Sequence, residues 1–264
     1  LPVIIDIVRG IMIDITFINH STSLIRINDV YILTDPIWSK WAGIPIFGAK
    51  RIKEPGIRIE ELPQIHVVLI SHNHYDHMDI PTLKILKERF NPIFITGLGN
   101  KEILKKNGLN KIIELDWWDK THINTFDIYF VPAQHWSGRM PWDIDTTLWG
   151  GFVIDHSEGQ VYFAGDTAYN KTHLEMLSYR FENIKISLLP ISPSDKVFKI
   201  QHMNPDDAVH AHRVLKSNLT IGIHTGTFRL GFEENIDDLH KAIKTNNINT
   251  EEFLILEHGE TRSI

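Results

Sequence analysis

Six consecutive residues, His72-Asn73-His74-Tyr75-Asp76-His77, hold three imidazoles and one carboxylate. Neutral imidazole and carboxylate are ligands for zinc and neighbouring first-row divalent ions. In an extended loop His72 and His74 project the same way, while Asp76 and the adjacent His77 can turn toward a second point. Four ligands from so short a segment crowd one tetrahedral ion, so the spacing suggests two metals sharing the loop. The competing reading is a polar surface turn that happens to be rich in histidine. Three later positions weigh against it: His135 after the run Phe126 to Val131, Asp166 after Val161 to Ala164, and His224 after Thr220 to Ile223. A lone His or Asp at a strand end is ordinarily a hydrogen-bonded turn residue; three in succession after such a loop are a ligand set.

The elements that must position these groups can be read from periodicity. Val67 to Ile70, directly before the loop, is short, apolar and β-branched, as a buried strand is. The turn after such a strand is held rigidly and opens at a sheet edge, where ligands are placed. Asp14 to Ile18, Ser23 to Ile27 and Val30 to Thr34 read as strands, with Asn28-Asp29 as a hairpin turn. After the loop Asp79 caps a helix with Pro81 in its first turn and Leu83, Leu86 and Phe90 on one face. Pro92 to Thr96 is a strand, Gly97 to Lys106 a short helix and Lys111 to Glu114 a strand. Further strands are expected at Phe126 to Val131, Leu148 to Ile154, Val161 to Ala164, Ile186 to Leu189, Thr220 to Ile223 and Phe253 to Leu256. Helices fall at Thr172 to Arg180, from the cap Asn204 with Pro205, Asp206 and Asp207 in its first turn, and over roughly Glu233 to Lys244. Periodicity alone thus gives a mixed α and β chain without a long linker or repeat. The segment Ile37 to Gly48 fits neither period; with Trp38, Trp41 and Phe47 among Gly and Pro, it either folds back over the core or forms an exposed apolar lip.

Composition narrows the chemistry. The 264 residues, 42% hydrophobic, suffice for one large domain or two small ones. A net charge of −6 argues against a nucleic-acid substrate, which favours a basic face. Cysteine is absent, so no thiolate nucleophile or zinc–thiolate site exists and any metal rests on His, Asp or Glu. No run approaches the roughly 18 to 20 apolar residues that span a bilayer. The chain opens Leu1-Pro2-Val3 without Met, which predicts a trimmed or processed start. The place of action is expected to be the cytoplasm or a membrane periphery, with an exported form left open.

The loop resembles the HxHxDH signature of the metallo-β-lactamase-fold hydrolases. The longer string SHNHYDHMD is similar, more narrowly, to the branch containing the N-acylphosphatidylethanolamine-hydrolysing phospholipase D and its bacterial relatives. LTDPIWS, ELDWWD, PAQHWS, FAGDTAY, QHMNPDDA and HTGTF resemble further segments, so the likeness runs from about Thr16 to His224. It implies an α/β fold, a four-layer αββα sandwich, formed by residues 1–264 as one domain. It also implies that His72, His74 and His135 hold one ion, that Asp76, His77 and His224 hold the second, and that Asp166 bridges. The cofactor expected is two divalent ions, zinc first, with manganese or iron as alternatives. Asp35, at a strand end, could accept the free N–H of a ligand imidazole, or only cap the turn before Pro36. His20 sits where the family has Gly-His, but Asn19 replaces the Gly, and a surface histidine is the competing reading. His202 matches a segment at the rim, where it could bind phosphate or protonate a leaving group. His210 and His212 read as packing or surface residues, and Trp117 and Trp118 as packing residues.

Two such ions would lower the pKa of a shared water and neutralise charge on a substrate oxygen, giving hydrolysis by a dinuclear-metal-bound hydroxide. Asp76, Asp166 and His202 are the residues expected to act in that step. With no cysteine and no Gly-x-Ser-x-Gly elbow, a covalent route has little to stand on. The resemblance favours a lipid phosphodiester, cut on the head-group side to leave phosphatidic acid, with Trp38, Trp41 and Phe47 touching lipid at a membrane surface. The same residues could instead open a sugar lactone or cut cyclic nucleotides or RNA. A non-catalytic sensor or scaffold is expected to have lost a ligand, and every position is filled here.

Overall fold

A computed structural model describes residues 13–229 and 236–264. Its first half runs β1 (Ile13–Asn19), β2 (Thr22–Ile27), β3 (Val30–Thr34), β4 (Trp41–Ala42), β5 (Ala49–Arg51), β6 (Val67–Ile70), α1 (Ile80–Phe90), β7 (Ile93–Gly97), α2 (Lys101–Lys106) and β8 (Ile112–Leu115). The second half runs β9 (Lys120–Ile123), β10 (Phe126–Val131), β11 (Gly151–His156), β12 (Gly159–Phe163), α3 (Lys171–Arg180), β13 (Ile184–Pro190), α4 (Pro205–Leu215), β14 (Leu219–Ile223), β15 (Phe228–Arg229), α5 (Ile236–Thr245), β16 (Phe253–Leu254) and β17 (Thr261–Ser263).

The strands form two seven-stranded sheets, ordered β17-β1-β2-β3-β6-β7-β8 and β16-β14-β13-β12-β11-β10-β9. Strand β6 shows why the sheets stack. Its four residues are all buried, Val67 and Leu69 between the sheets and Val68 and Ile70 beneath helices, so the apolar run is unbroken while its faces alternate. Phe17, Ile25 and Ile95 join the inner face from the first sheet, and Phe130, Phe152, Phe163 and Leu188 meet them from the second. On the outside, Leu83 and Leu86 of α1 and Leu104 of α2 cover Val68, Ile70 and Phe94. Leu174 and Leu177 of α3, Val209 of α4 and Leu239 of α5 cover Tyr162 and Leu189. The layers are therefore helix, sheet, sheet, helix, the αββα sandwich that the resemblance implies. The C-terminal β17 pairs antiparallel with β1, closing the first sheet with the last segment of the chain.

Of the two expected caps, Asn204 acts as one, whereas Asp79 takes the cap position without bonding a helix amide. Asn204 Oδ1 accepts the amide of Asp207 at 2.9 Å, capping α4. Asp79 stands before α1 and accepts the hydroxyls of Thr82 and Ser39. Several boundaries differ from the periodicity. The helix expected from Gly97 begins at Lys101, because Gly97 still pairs within its sheet and Asn100 donates its side-chain amide to Gly97 and Leu148 carbonyls. The strand expected from Leu148 begins at Gly151, since the Leu148 and Gly150 amides donate across to Leu98 and Ser71. Of the helix expected from Glu233, α5 covers Ile236 onward; residues 233–235, like the chain start Leu1-Pro2-Val3, lie outside the described residues.

The Ile37 to Gly48 segment divides. Its first part folds back: Trp38 packs against the helix-covered core and its indole N–H donates to Ile57 O at 3.0 Å. Trp41-Ala42 pairs with Ala49–Arg51, and with β15 these form a small three-stranded sheet. The tip is a lip, with Ile46 82% and Phe47 89% exposed. Trp38, expected to touch lipid, is half-buried, with its ring against the core and its N–H on Ile57 O. Trp41 is half-buried in its strand, and Phe47 stands free.

Phe130 is fully buried between the sheets. Phe130→Ala should lower stability by about 3–5 kcal/mol, read as a shift in the urea midpoint at unchanged slope.

Candidate metal centre

Four strand ends deliver the candidate ligands: β6 leads into residues 72–77, β10 into His135, β12 into Asp166 and β14 into His224. His72 Nε2 lies 2.8 Å from His74 Nδ1, which lies 3.2 Å from His135 Nε2. Asp76 Oδ2 lies 3.5 Å from His77 Nε2 and 3.6 Å from His224 Nε2. Between the two groups stands Asp166. Its Oδ2 is 3.0 Å from His77 Nε2, 3.4 Å from His224 Nε2, 3.7 Å from His135 Nε2 and 3.9 Å from His72 Nε2. The structure thus brings all seven residues together.

Two features of this cluster fit divalent ions. Imidazole nitrogens about 2.0–2.1 Å from a tetrahedral ion stand roughly 3.3 Å from one another; His74 and His135 match this at 3.2 Å, while His72 and His74 stand closer at 2.8 Å. In addition, His77 Nε2, both ring nitrogens of His224 and Asp166 Oδ1 are buried without a hydrogen-bond partner among the described residues. Buried polar atoms left unpaired in this way call for an unseen partner.

The backs of the rings are held as those of ligands must be. His77 Nδ1 donates to Asp35 Oδ2 at 2.6 Å. His72 Nδ1 contacts Ser71 Oγ at 2.8 Å, and that hydroxyl donates to the same Asp35 oxygen at 2.5 Å, so the His72 ring is the donor in this relay. Asp35 also accepts the Ser71 amide at 2.7 Å. One buried carboxylate therefore orients a ring in each ligand group and does more than cap the turn before Pro36. His135 Nδ1 donates to Gln201 O at 2.8 Å. Gly165 makes room for the arrangement: at φ +59 it takes a left-handed turn, and a Cβ there would stand 2.6 Å from Ser71 Cβ.

Burial and charge set the protonation. Burial first, then like-charged neighbours, lowers His20 to about 3 and holds His72 well below the usual histidine range. Burial dominates in His74, at about 4, and in His135, at about 3. These rings are neutral, as ligation requires. Burial also works against charge on His77 and His224, but the carboxylates win: Asp166, Asp76 and Asp35 raise His77 well above its usual value, and Asp166 with Asp76 raises His224 to about 10, so an ion binding there would take the place of a proton on each ring. Burial likewise opposes ionisation of Asp76 and Asp166, yet the surrounding imidazoles hold both well below the ordinary carboxylate range.

The remaining expected residues are placed unevenly. His20 is completely buried, which corrects the surface reading; its Nε2 stands 3.1 Å from Asp76 Oδ2 and its ring lies against His224. His202 brings Nδ1 to 3.8 Å from Asp166 Oδ2. His212 is buried against Thr220, His210 is exposed, and Trp117 donates its indole N–H to Trp149 O. Ser71 and the Gln201 carbonyl escaped sequence reasoning, though each adjoins a residue that did not. A cavity of about 510 Å³ opens beside His74 and Asp76, walled by Trp136, Met140, Pro141 and Ile144. Asp35→Asn should weaken ion affinity about 10–100-fold, measured by chelator competition on folded protein.

Comparisons with known proteins identify the family. The chain is 33% identical over 226 residues to a mitochondrial N-acyl-phosphatidylethanolamine-hydrolyzing phospholipase D of Saccharomyces cerevisiae, covering 83% of this chain and 48% of that one. It is 30% identical over 233 residues to N-acyl-phosphatidylethanolamine-hydrolyzing phospholipase D 1 of Caenorhabditis elegans, covering 83% and 65%. The chain thus spans about half to two thirds of the length of these relatives. The crystal structure of an isothiocyanate hydrolase from Delia radicum gut bacteria shares the fold, with a TM-score of 0.75 at 20% identity over 94% of this chain and 98% of that one. A family model described as the beta-lactamase superfamily domain matches residues 31–225, which reach from β3 to just past His224, and the chain belongs to that superfamily.

Proposed function

We propose that residues 1–264 form one metal-dependent hydrolase domain that cleaves phosphodiesters with a pair of divalent ions, and that its substrate is a lipid phosphodiester of the N-acylphosphatidylethanolamine kind. The observation that carries this reading is the reach of Asp166 Oδ2, 3.0 Å from His77 in one ligand group and 3.7 Å from His135 in the other. His72, His74 and His135 would hold one ion, Asp76, His77 and His224 the second, and Asp166 both. Zinc suits imidazole and carboxylate, as do manganese and iron. Ions bound there would lower the pKa of a shared water and neutralise charge on a substrate oxygen.

The chain's own residues supply orientation. Asp166 fixes the separation of the two groups and leaves Oδ1 without a partner among the described residues, able to accept a hydrogen bond from the attacking water. His20 steadies Asp76. Burial lowers His202 to about 4, so its neutral ring offers one N–H to a phosphoryl or leaving oxygen at the rim. No covalent intermediate is needed.

The substrate class rests on the names of the yeast and nematode relatives and on the walls of the cavity. Trp136, Met140, Pro141, Ile144, Ala42 and Ala49 give it an apolar lining that suits hydrocarbon better than a sugar lactone or a nucleotide. The lip points the same way. Ile46 and Phe47, and Trp142 at 78% exposed, leave large apolar side chains in water on the two segments that carry the lining residues Ala42 and Ala49 and Pro141 and Ile144, as a peripheral contact with a bilayer would require. No helix among the described residues is long and apolar enough to cross a membrane.

Metal-loaded protein offered a phosphatidylethanolamine-type diester, a sugar lactone and an RNA should turn over the diester; preference for either of the others would refute the substrate class. Asp166→Asn should reduce bound metal and turnover by more than the roughly 10–100-fold typical of a residue acting from behind a ligand. Phe47→Ser combined with Trp142→Ser should weaken partitioning onto lipid vesicles. Trp38→Ser, by contrast, should lower thermal stability and leave partitioning as it was.

A further inference from the structure

We propose that Asn73 and Gly138-Arg139 form a latch that positions His135 against His72 and His74. The inference rests on the reading of those three rings as one ion site. The ligands of that site come from loops 61 or more residues apart: His72 and His74 follow β6, and His135 follows β10. Such a triad is only as well defined as the contact between its two loops, and the latch is that contact, made in both directions. Asn73, fully buried between the two histidines, accepts the Gly138 amide on its Oδ1 at 2.6 Å. In return, Arg139 Nη1 donates to Asn73 O and to Met78 O, both at 2.9 Å. A single nitrogen thus grips the loop just after its first ligand and just after its last. The guanidinium lies 4.0 Å from the centroid of the Tyr75 ring, midway along the same loop.

The anchoring side is itself rigid. Asp143 Oδ1 accepts the amides of Arg139 and Met140 at 2.7 and 2.8 Å, and the Ser137 and Asp145 backbones close the turn. The second ligand group is steadied from elsewhere. Its His77 is held by Asp35, Asp76 by His20, and the His224 amide donates to His20 O at 2.8 Å. Loosening the latch should therefore act on one ion far more than on the other. Arg139 is a positioning residue: it works through the loop backbone and touches no ligand ring nitrogen.

The test compares Arg139→Gln and Arg139→Lys with Arg51→Gln. Arg51 is an equally structural guanidinium that donates to the Ile37, Ser39 and Lys53 carbonyls and makes no bond to residues 72–78. Each folded protein is loaded with zinc, and its metal content is followed during chelator competition. Arg139→Gln is expected to hold one of its two ions about 10–100-fold more weakly and the other within a few-fold of wild type. Anomalous scattering should show the depleted position at His72, His74 and His135. Arg139→Lys, which keeps a charge but not the planar fork, should fall between. Arg51→Gln should lose thermal stability and keep both ions. Equal ion affinity in Arg139→Gln and wild type, or a loss matched by Arg51→Gln, would overturn the latch. Wild-type protein that retains no stoichiometric zinc would instead overturn the ion site on which it rests.

Discussion

Two buried carboxylates make the cluster of imidazoles tolerable. Asp35 lies behind the rings and Asp166 in front of them, and both are almost wholly removed from water. Burying this many polar rings costs stability unless each nitrogen finds a partner. Asp35 answers for the rear of His77 directly and of His72 through Ser71. Asp166 leaves the front nitrogens close to a negative charge but short of hydrogen-bond geometry, with His77 Nε2 and His224 Nε2 unpaired among the described residues. A site that is satisfied on one side and unsatisfied on the other is built for a cation between its parts.

The sandwich serves this constraint by where its strands stop. In the second sheet β12, β13 and β14 run parallel, so the ends that carry Asp166 and His224 fall on the same side. In the first, β3 and β6 run parallel and bring Asp35 beside Ser71. The inner apolar faces, with Phe130, Phe152 and Phe163 against Val67 and Leu69, hold the two sheets in register. A core packed this closely resists sliding, and sliding would separate His72 from His135. Gly165 marks how tight the approach is, since any side chain there would collide with Ser71.

Much of this was legible because it is local. Strand β6 is an unbroken apolar run, and the loop after it concentrates four ligand-type residues, so composition and spacing over ten positions sufficed. Strand β10 was legible because its first five residues alternate buried with half-buried before Val131 closes the run. What escaped is set by tertiary pairing. Trp41-Ala42, Phe228–Arg229 and Thr261–Ser263 are too short to show a period; the first is a strand through its neighbour Ala49-Lys50, the other two only through distant partners. Trp38 and Phe47 have similar chemistry and sit on one loop, yet one is bonded to Ile57 O and the other stands in water. His20 was ambiguous because its burial depends on a left-handed turn, φ +47, that tucks it against His224. Arg139 gave no signal at all, since its two acceptors are carbonyls that every residue possesses.

The candidate ligand rings and most of the cavity wall come from different parts of the chain, although His74 and Asp76 border both. The rings stand on strand ends fixed by both sheets, whereas the cavity beside His74 and Asp76 is walled by residues 136–144 and by the edge of the small three-stranded sheet. Changes at Ile144, Met140 or Ala49 can reshape those walls without moving a strand end. The two systems meet at residues 135–139, where His135 faces the rings, Trp136 lines the cavity and Arg139 grips the loop of the other ligands. Substitutions on that segment therefore touch both the cavity wall and the ring cluster, while those at the exposed Phe47 touch neither.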